Sequence, residues 1–204
     1  MADLAFVHRF VPARTAGRRP LLMLHGTGGD ENDLVPLGQH LSPGAALLSP
    51  RGKVLENGMP RFFRRVAEGV FDIDDLKART RELADFVAAA RAAHGLEKPV
   101  AIGFSNGANI AASLILMQPE ALDGAVLMRA MLPFEPQPAP ALNSLPVLLL
   151  SGEADPIVPA ASRDRLAAVL KDAGAAVTHH VMPAGHNLIS HDLALAAQWL
   201  EHLR

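Results

Sequence analysis

A chain of 204 residues, half of them hydrophobic, can enclose one well-buried core and is short for two, so a single domain over residues 1–204 is expected. With 19 Lys and Arg against 21 Asp and Glu the formal net charge is −2, which leaves no electrostatic surplus for nucleic acid or an anionic membrane. Cysteine is absent, which excludes a disulfide framework, a thiolate nucleophile and a Cys-ligated zinc.

Residues 1–9 lack the basic and apolar segments of a secretory leader, and no apolar run approaches the length of a membrane span. A soluble, cytoplasmic protein without membrane insertion is the expectation. Along the chain, residues 4–11 predict an edge strand, 21–24 a buried strand, 32–41 a helix and 45–48 a further strand. Residues 49–68 carry Pro50, Gly52, Gly58 and Pro60 and predict an irregular stretch. The helical spacing of Leu76, Leu83, Phe86 and Val87 predicts a helix over 73–94, stopped by Gly95. Strands follow at 100–102, 125–128, 145–150 and 176–182, with helices up to Met117 and over 160–173 and 190–203. Trp199 is assigned to the core. Only residues 129–144 separate two of these strands, and Pro133, Pro136, Pro138 and Pro140 prevent much helix there. Strands alternating with helices indicate a mostly parallel sheet covered on both faces.

Chemistry concentrates at strand ends. The strand at 100–102 runs into Gly103-Phe104-Ser105-Asn106-Gly107, a Gly-x-Ser-x-Gly pattern followed by a helix-forming stretch. Such an elbow lifts a serine hydroxyl above the sheet, while the flanking glycines allow close backbone approach. Taken alone, Ser105 reads better as an ordinary helix N-cap, and it is the strand before it and the two partners behind it that turn the reading to catalysis. The strand at 145–150 delivers Asp155, and the strand at 176–182 delivers His186. Serine, then aspartate, then histidine, each after a strand, is the chain order of the α/β-hydrolase triad. Glu153 is the nearest competitor to Asp155, and Asp164 falls inside the following helix.

The chain resembles the phospholipase/carboxylesterase family of α/β-hydrolases nearly end to end. Leu22-Met23-Leu24-His25-Gly26-Thr27-Gly28-Gly29-Asp30-Glu31, the serine motif, Ser151-Gly152-Glu153-Ala154-Asp155-Pro156-Ile157-Val158-Pro159 and Gly185-His186 carry the likeness. It is most similar to bacterial carboxylesterases related to acyl-protein thioesterases. The resemblance implies an α/β-hydrolase fold of about seven strands with helices on both faces and no cap domain. It also implies a catalytic set of Ser105, Asp155 and His186, with an oxyanion hole formed by the backbone N–H groups of Thr27 and Asn106. Asn106 departs from the family, where glutamine is common, and this puts side-chain contacts at that position in question.

Loops at the same sheet edge are expected to bind substrate. Met59, Phe62, Phe63, Met131 and Phe134 are candidates for an apolar wall, with Leu132 beside them. Arg64 is weighed equally between an acidic substrate group and structural ion pairing. Arg61, Arg65 and Arg129 could meet the same acidic group but read nearer to surface residues, and Arg14, Arg18 and Arg19 read as solvated surface. The glycine-rich loop lacks the lysine of a phosphate-binding loop. His179 and His180 are strand neighbours pointing to opposite faces and do not form a metal site. No metal or cofactor is expected. The reading is a serine hydrolase of small soluble carboxylic esters acting through an acyl-enzyme on Ser105. Alternatives are a thioesterase, a lactone or aromatic-pathway hydrolase and, further off, a non-catalytic binding protein on the same fold. A homodimer is left open.

Overall fold

The computed structural model describes residues 4–203; residues 1–3 and 204 of the expected domain lie outside it. The chain runs β1 (His8–Val11), β2 (Leu21–Leu24), α1 (Val35–Leu41), β3 (Leu47–Pro50), β4 (Val54–Glu56), β5 (Met59–Arg61), β6 (Arg65–Ala67), β7 (Val70–Phe71), α2 (Ile73–His94), β8 (Val100–Phe104) and α3 (Asn106–Met117). A 3-10 turn (Pro119–Ala121) leads to β9 (Gly124–Met128), β10 (Pro146–Gly152), α4 (Ala160–Asp172), β11 (Ala176–Met182) and α5 (Ser190–His202). Seven strands form one sheet in the order β1-β3-β2-β8-β9-β10-β11. Only β1 is antiparallel to its neighbour, and the other pairings are parallel.

The central strands are apolar at every position because both of their faces are covered. Alternation sends Leu22 and Leu24 of β2 into a cluster with α2, α3 and α4, and Leu21 and Met23 into a second cluster with α1 and α5. Helix α2 is begun by Asp72, whose carboxylate accepts the Asp75 N–H at 3.1 Å, and ended by Gly95 at φ 64°. Trp199 of α5 is only partly buried, lying over Gly124 at the margin of the second cluster. The basic segment near the start is less solvated than its composition suggests: Arg18 pairs with Glu201, and Arg19 pairs with Asp123 and donates to the Leu203 carbonyl.

Three expectations change in detail. The edge strand is shorter than 4–11, because β3 offers partners only for His8 through Val11. The first helix starts at Val35, since the Asp30 carboxylate accepts the Asn32 N–H at 2.7 Å and holds the preceding residues in a turn. The stretch 49–68 is more regular than its breakers suggest and contains the β4–β5 hairpin and the first strand of the β6–β7 hairpin. Asn57 and Gly58, both at positive φ, make the two-residue turn between β4 and β5. Residues 129–144 contain no helix or strand, so no cap domain is inserted at that connection. No helix among the described residues is long and apolar enough to cross a membrane.

Backbone approaches glycine very closely at the start of α3. A side chain on Gly107 would collide with the carbonyls of Leu24 and His25, and one on Gly103 would come within 2.7 Å of the Ala108 Cα. The neighbours in both cases are backbone, which cannot rotate away. Gly107→Ala is therefore expected to cost about 1–3 kcal/mol or more in urea unfolding, as overpacking does, and to lower activity in the folded fraction. Wild-type stability in that variant would show that the contact is looser than described.

Candidate active site

Ser105 sits between β8 and α3 with φ 51° and ψ −113°, a left-handed conformation that non-glycine residues adopt at a cost. Its side chain makes no capping bond to the helix. Instead Ser105 Oγ is 2.9 Å from His186 Nε2. His186 Nδ1 is 2.8 Å from Asp155 Oδ2 and 3.1 Å from Oδ1. An ionised carboxylate only accepts, so Nδ1 carries the ring proton and Nε2 is left to accept from the serine hydroxyl. Asp155 is held in turn by the N–H groups of Ile157 and Val158, which donate to Oδ1 at 2.8 and 3.1 Å. Its side chain is 1% exposed and that of His186 is 16% exposed. Glu153 is exposed, and Asp164 pairs with Arg163, so Asp155 is the acid that the structure brings to His186.

A buried arginine holds the histidine loop. Arg129, fully buried at φ 58°, pairs with both oxygens of buried Asp192 at 2.9 and 2.7 Å. Its remaining N–H groups donate to the carbonyls of Gly185, Asn187 and Leu150. The residues on either side of His186 are thus fixed by one side chain. Arg129 reaches the cleft wall, but its guanidinium serves this loop and not an acidic ligand, because every face of the group is already matched to an acceptor.

On the opposite side, Gly28 N–H donates to the Pro60 carbonyl at 2.9 Å and Gly29 N–H to the Gly26 carbonyl at 3.1 Å, which shapes the loop carrying Thr27. His25 accepts the Gly52 N–H on Nε2 at 2.9 Å, and its Nδ1–H donates to the Gly26 carbonyl. The ring is therefore neutral. Burial pushes its pKa below the ordinary histidine value. Two asparagines one turn apart on α3 grip the walls: Asn106 Oδ1 accepts from Phe62 N–H at 2.7 Å and Asn109 Oδ1 from Met131 N–H at 3.0 Å. The side chain at the position where the family pattern differs thus has a specific contact.

A cleft of about 270 Å³ opens at Ser105 and His186, with Thr27, Asn106 and Met131 on its wall. Five of the other expected substrate-binding residues lie elsewhere. Phe62 and Phe63 are buried in the core, against His25 and Phe71 respectively, where two phenyl rings gain most from full enclosure. Phe134 packs over α2 beside Lys77, and Arg64 is a surface residue paired with Asp72 and Asp75. Met59 is exposed on the β4–β5 hairpin and lies against Gly28, outside the cleft. The apolar wall is instead made by Phe71, Phe104, Ile157, Val158 and Met131. Phe104 and Ile157-Val158 flank the serine and aspartate motifs directly, a proximity that sequence could have supplied; Phe71 carries no such signal. Arg61 and Arg65 also line the cleft. Among the described residues, no group of three or more His, Asp or Glu is placed to hold a metal ion.

Two measurements test this architecture. Asp192→Asn leaves the buried Arg129 charge uncompensated and should cost about 3–5 kcal/mol in urea unfolding. The double variant Arg129→Met/Asp192→Leu should regain much of that stability but not turnover, because the carbonyls beside His186 still lack their donor. The His25 shift has a definite sign. An unfolded histidine titrates near pH 6.5 and the folded one lower, so between the two values the unfolded chain binds more protons and stability falls as pH drops. His25→Gln should flatten the decline in stability measured between pH 7 and 5, and an unaltered slope would contradict the buried neutral ring.

A model of the phospholipase/carboxylesterase family matches residues 9–204. MhqD of Bacillus subtilis (strain 168), a hydrolase by name, is 45% identical over 181 residues, covering 88% of this chain and 90% of its own. The crystal structure of the Bacillus cereus carboxylesterase superposes with a TM-score of 0.96 at 42% identity, covering 99% of this chain and 96% of the other. A carboxylesterase from Mesorhizobium loti gives a TM-score of 0.92 at 34% identity, covering 98% and 97%. Fold, sequence and serine-centred geometry agree: the chain belongs to the phospholipase/carboxylesterase family of α/β-hydrolases and is a carboxylic ester hydrolase.

Proposed function

We propose that the protein hydrolyses small soluble carboxylic esters through an acyl-enzyme on Ser105. The observation that carries this reading is the unbroken hydrogen-bonded series from Asp155 through His186 to Ser105 at the floor of an uncapped cleft. Serine hydroxyl is a weak nucleophile at neutral pH, and a base within hydrogen-bond reach removes that obstacle. As Ser105 Oγ attacks the ester carbonyl, His186 Nε2 takes its proton, and Asp155 stabilises the resulting imidazolium. The tetrahedral oxyanion is received by the N–H groups of Thr27 and Asn106. Asn106 opens α3, where the first N–H groups of a helix have no intrahelical acceptor and the dipole favours negative charge. Collapse expels the alkoxide, which leaves as an alcohol with the His186 proton. Water then attacks the acyl-enzyme, gives a proton to His186, and the acid departs as Ser105 regains its hydrogen. Fixed backbone donors at the oxyanion are commonly the largest single contribution to such rates.

The short 129–144 connector supports open access, and the cleft volume suits a small acyl group better than a long one. An active-site phosphonate should label the protein once, and Ser105→Ala should abolish labelling. His186→Ala should lower turnover by several orders of magnitude and Asp155→Asn somewhat less, whereas Glu153→Gln should be nearly silent. On nitrophenyl esters from acetate to palmitate, short chains should be preferred, with saturation kinetics and no jump in rate where substrate aggregates. A sharp interfacial rise with palmitate would overturn the small-ester reading.

A further inference from the structure

The ester chemistry proposed above assigns no role to two arginines of the cleft. Arg61, the last residue of β5, and Arg65, the first of β6, stand on its wall on either side of the segment joining the two hairpins. They share a single carboxylate: Arg61 Nε is 3.1 Å from Glu56 Oε2, and Arg65 Nε is 2.8 Å from Glu56 Oε1. Two positive charges therefore meet one negative charge. The Arg61 side chain is 5% exposed, and burying a guanidinium that is only partly matched is costly. Burial pushes its pKa down; Glu56 opposes that shift and the neighbouring charge of Arg65 adds to it.

Its further contacts tie it to the reacting centre. Arg61 Nη1 donates to Thr27 Oγ1 at 2.7 Å, on the residue whose N–H is assigned to the oxyanion, and Nε lies 3.3 Å from the Phe63 carbonyl. Arg65 is 28% exposed and borders open cleft. Asn106 lies on the same wall, and its buried Nδ2 has no hydrogen-bond partner. Arg129, the third arginine of the cleft, is matched by Asp192 and three carbonyls, so it adds no free charge. Glu68 also reaches the cleft, from an exposed hairpin turn where water and salt screen it.

We propose, resting on the ester-hydrolase reading above, that the Arg61–Arg65 wall binds a carboxylate carried by the substrate, so that the enzyme prefers anionic esters over neutral ones of the same shape. Guanidinium groups match carboxylates through paired N–H donors, and a charged hydrogen bond of this kind is stronger than a neutral one. The carboxylate can belong to the acyl part, as in the monoester of a short dicarboxylic acid, or to the leaving alcohol. Matched pairs distinguish the two: monoethyl glutarate against ethyl pentanoate for the acyl side, and 4-acetoxybenzoate against 4-acetoxybenzamide for the leaving group.

The readout is the ratio of kcat/KM for the anionic and neutral members of each pair. Wild-type enzyme should favour the anion about tenfold in at least one pair, with a preference that declines as salt is raised. Arg65→Gln should remove most of that preference, and Arg65→Lys should retain much of it. Arg61 is buried and its loss could disturb folding, so Glu56→Gln supplies the second measurement: freeing both guanidiniums from their shared carboxylate should raise the ratio. Equal or poorer turnover of both anionic esters, with ratios indifferent to Arg65→Gln and Glu56→Gln, would overturn the proposal while leaving the esterase intact. Failure to turn over any of the four esters would take down the ester reading and this one with it.

Discussion

The backbone of α3 touches the carbonyl end of β2 with no side chain between them, and the rest of the site depends on that contact. Gly107 meets the Leu24 and His25 carbonyls, and Gly103 meets the backbone of α3 itself. Only glycine at both places lets the chain reverse from strand to helix within one residue, and the residue at the apex is Ser105. Because α3 is drawn against β2, the loop that follows β2 arrives beside the helix N-terminus. Thr27 and Asn106 consequently border the same cleft. The first turn of α3 then organises both walls, through Asn106 to Phe62 and Asn109 to Met131.

A second constraint acts from the other edge. The Arg129–Asp192 pair is wholly enclosed, and an ion pair in that setting gains little net stability over packed apolar residues. Its worth lies in geometry. A guanidinium offers five donors in one plane, enough to meet a carboxylate and three carbonyls at once. Asp192 also accepts the Ile189 N–H, so the pair secures the whole path from His186 to the start of α5. Positive φ at Arg129 adds local backbone strain, which the surrounding bonds hold in place.

Much of the fold was legible in the sequence because buried parallel strands read as continuous apolar runs and helices read at their own period. The order of Ser105, Asp155 and His186 along the chain likewise pointed to one sheet edge, and the structure brings these three side chains into hydrogen-bonding distance. The walls were much less legible. Phe62 and Phe63 are apolar neighbours of a cleft residue, yet whether a phenyl ring faces a cleft or a core depends on packing partners distant in sequence. The same holds for charge: Arg61, Arg64 and Arg65 look alike in sequence, but Asp72 and Asp75 draw Arg64 outward while Glu56 and Thr27 hold the other two near the cleft. The reading of 49–68 as irregular rested on its breakers and missed the Asn57-Gly58 turn, a pair that suits a two-residue hairpin loop.

The distance in sequence between Arg129 and Asp192 has a consequence for synthesis. Sixty-three residues separate the two members of the pair. A nascent chain whose sheet has formed through β10 already carries Arg129 and Ser105, but its guanidinium has no carboxylate, and His186 has neither its anchor nor its position. Helix α5 follows every strand of the sheet, and it brings Asp192. Arg129 thus stays without its carboxylate until the segment after β11 has folded back onto the sheet, and the placement of His186 waits on the same step.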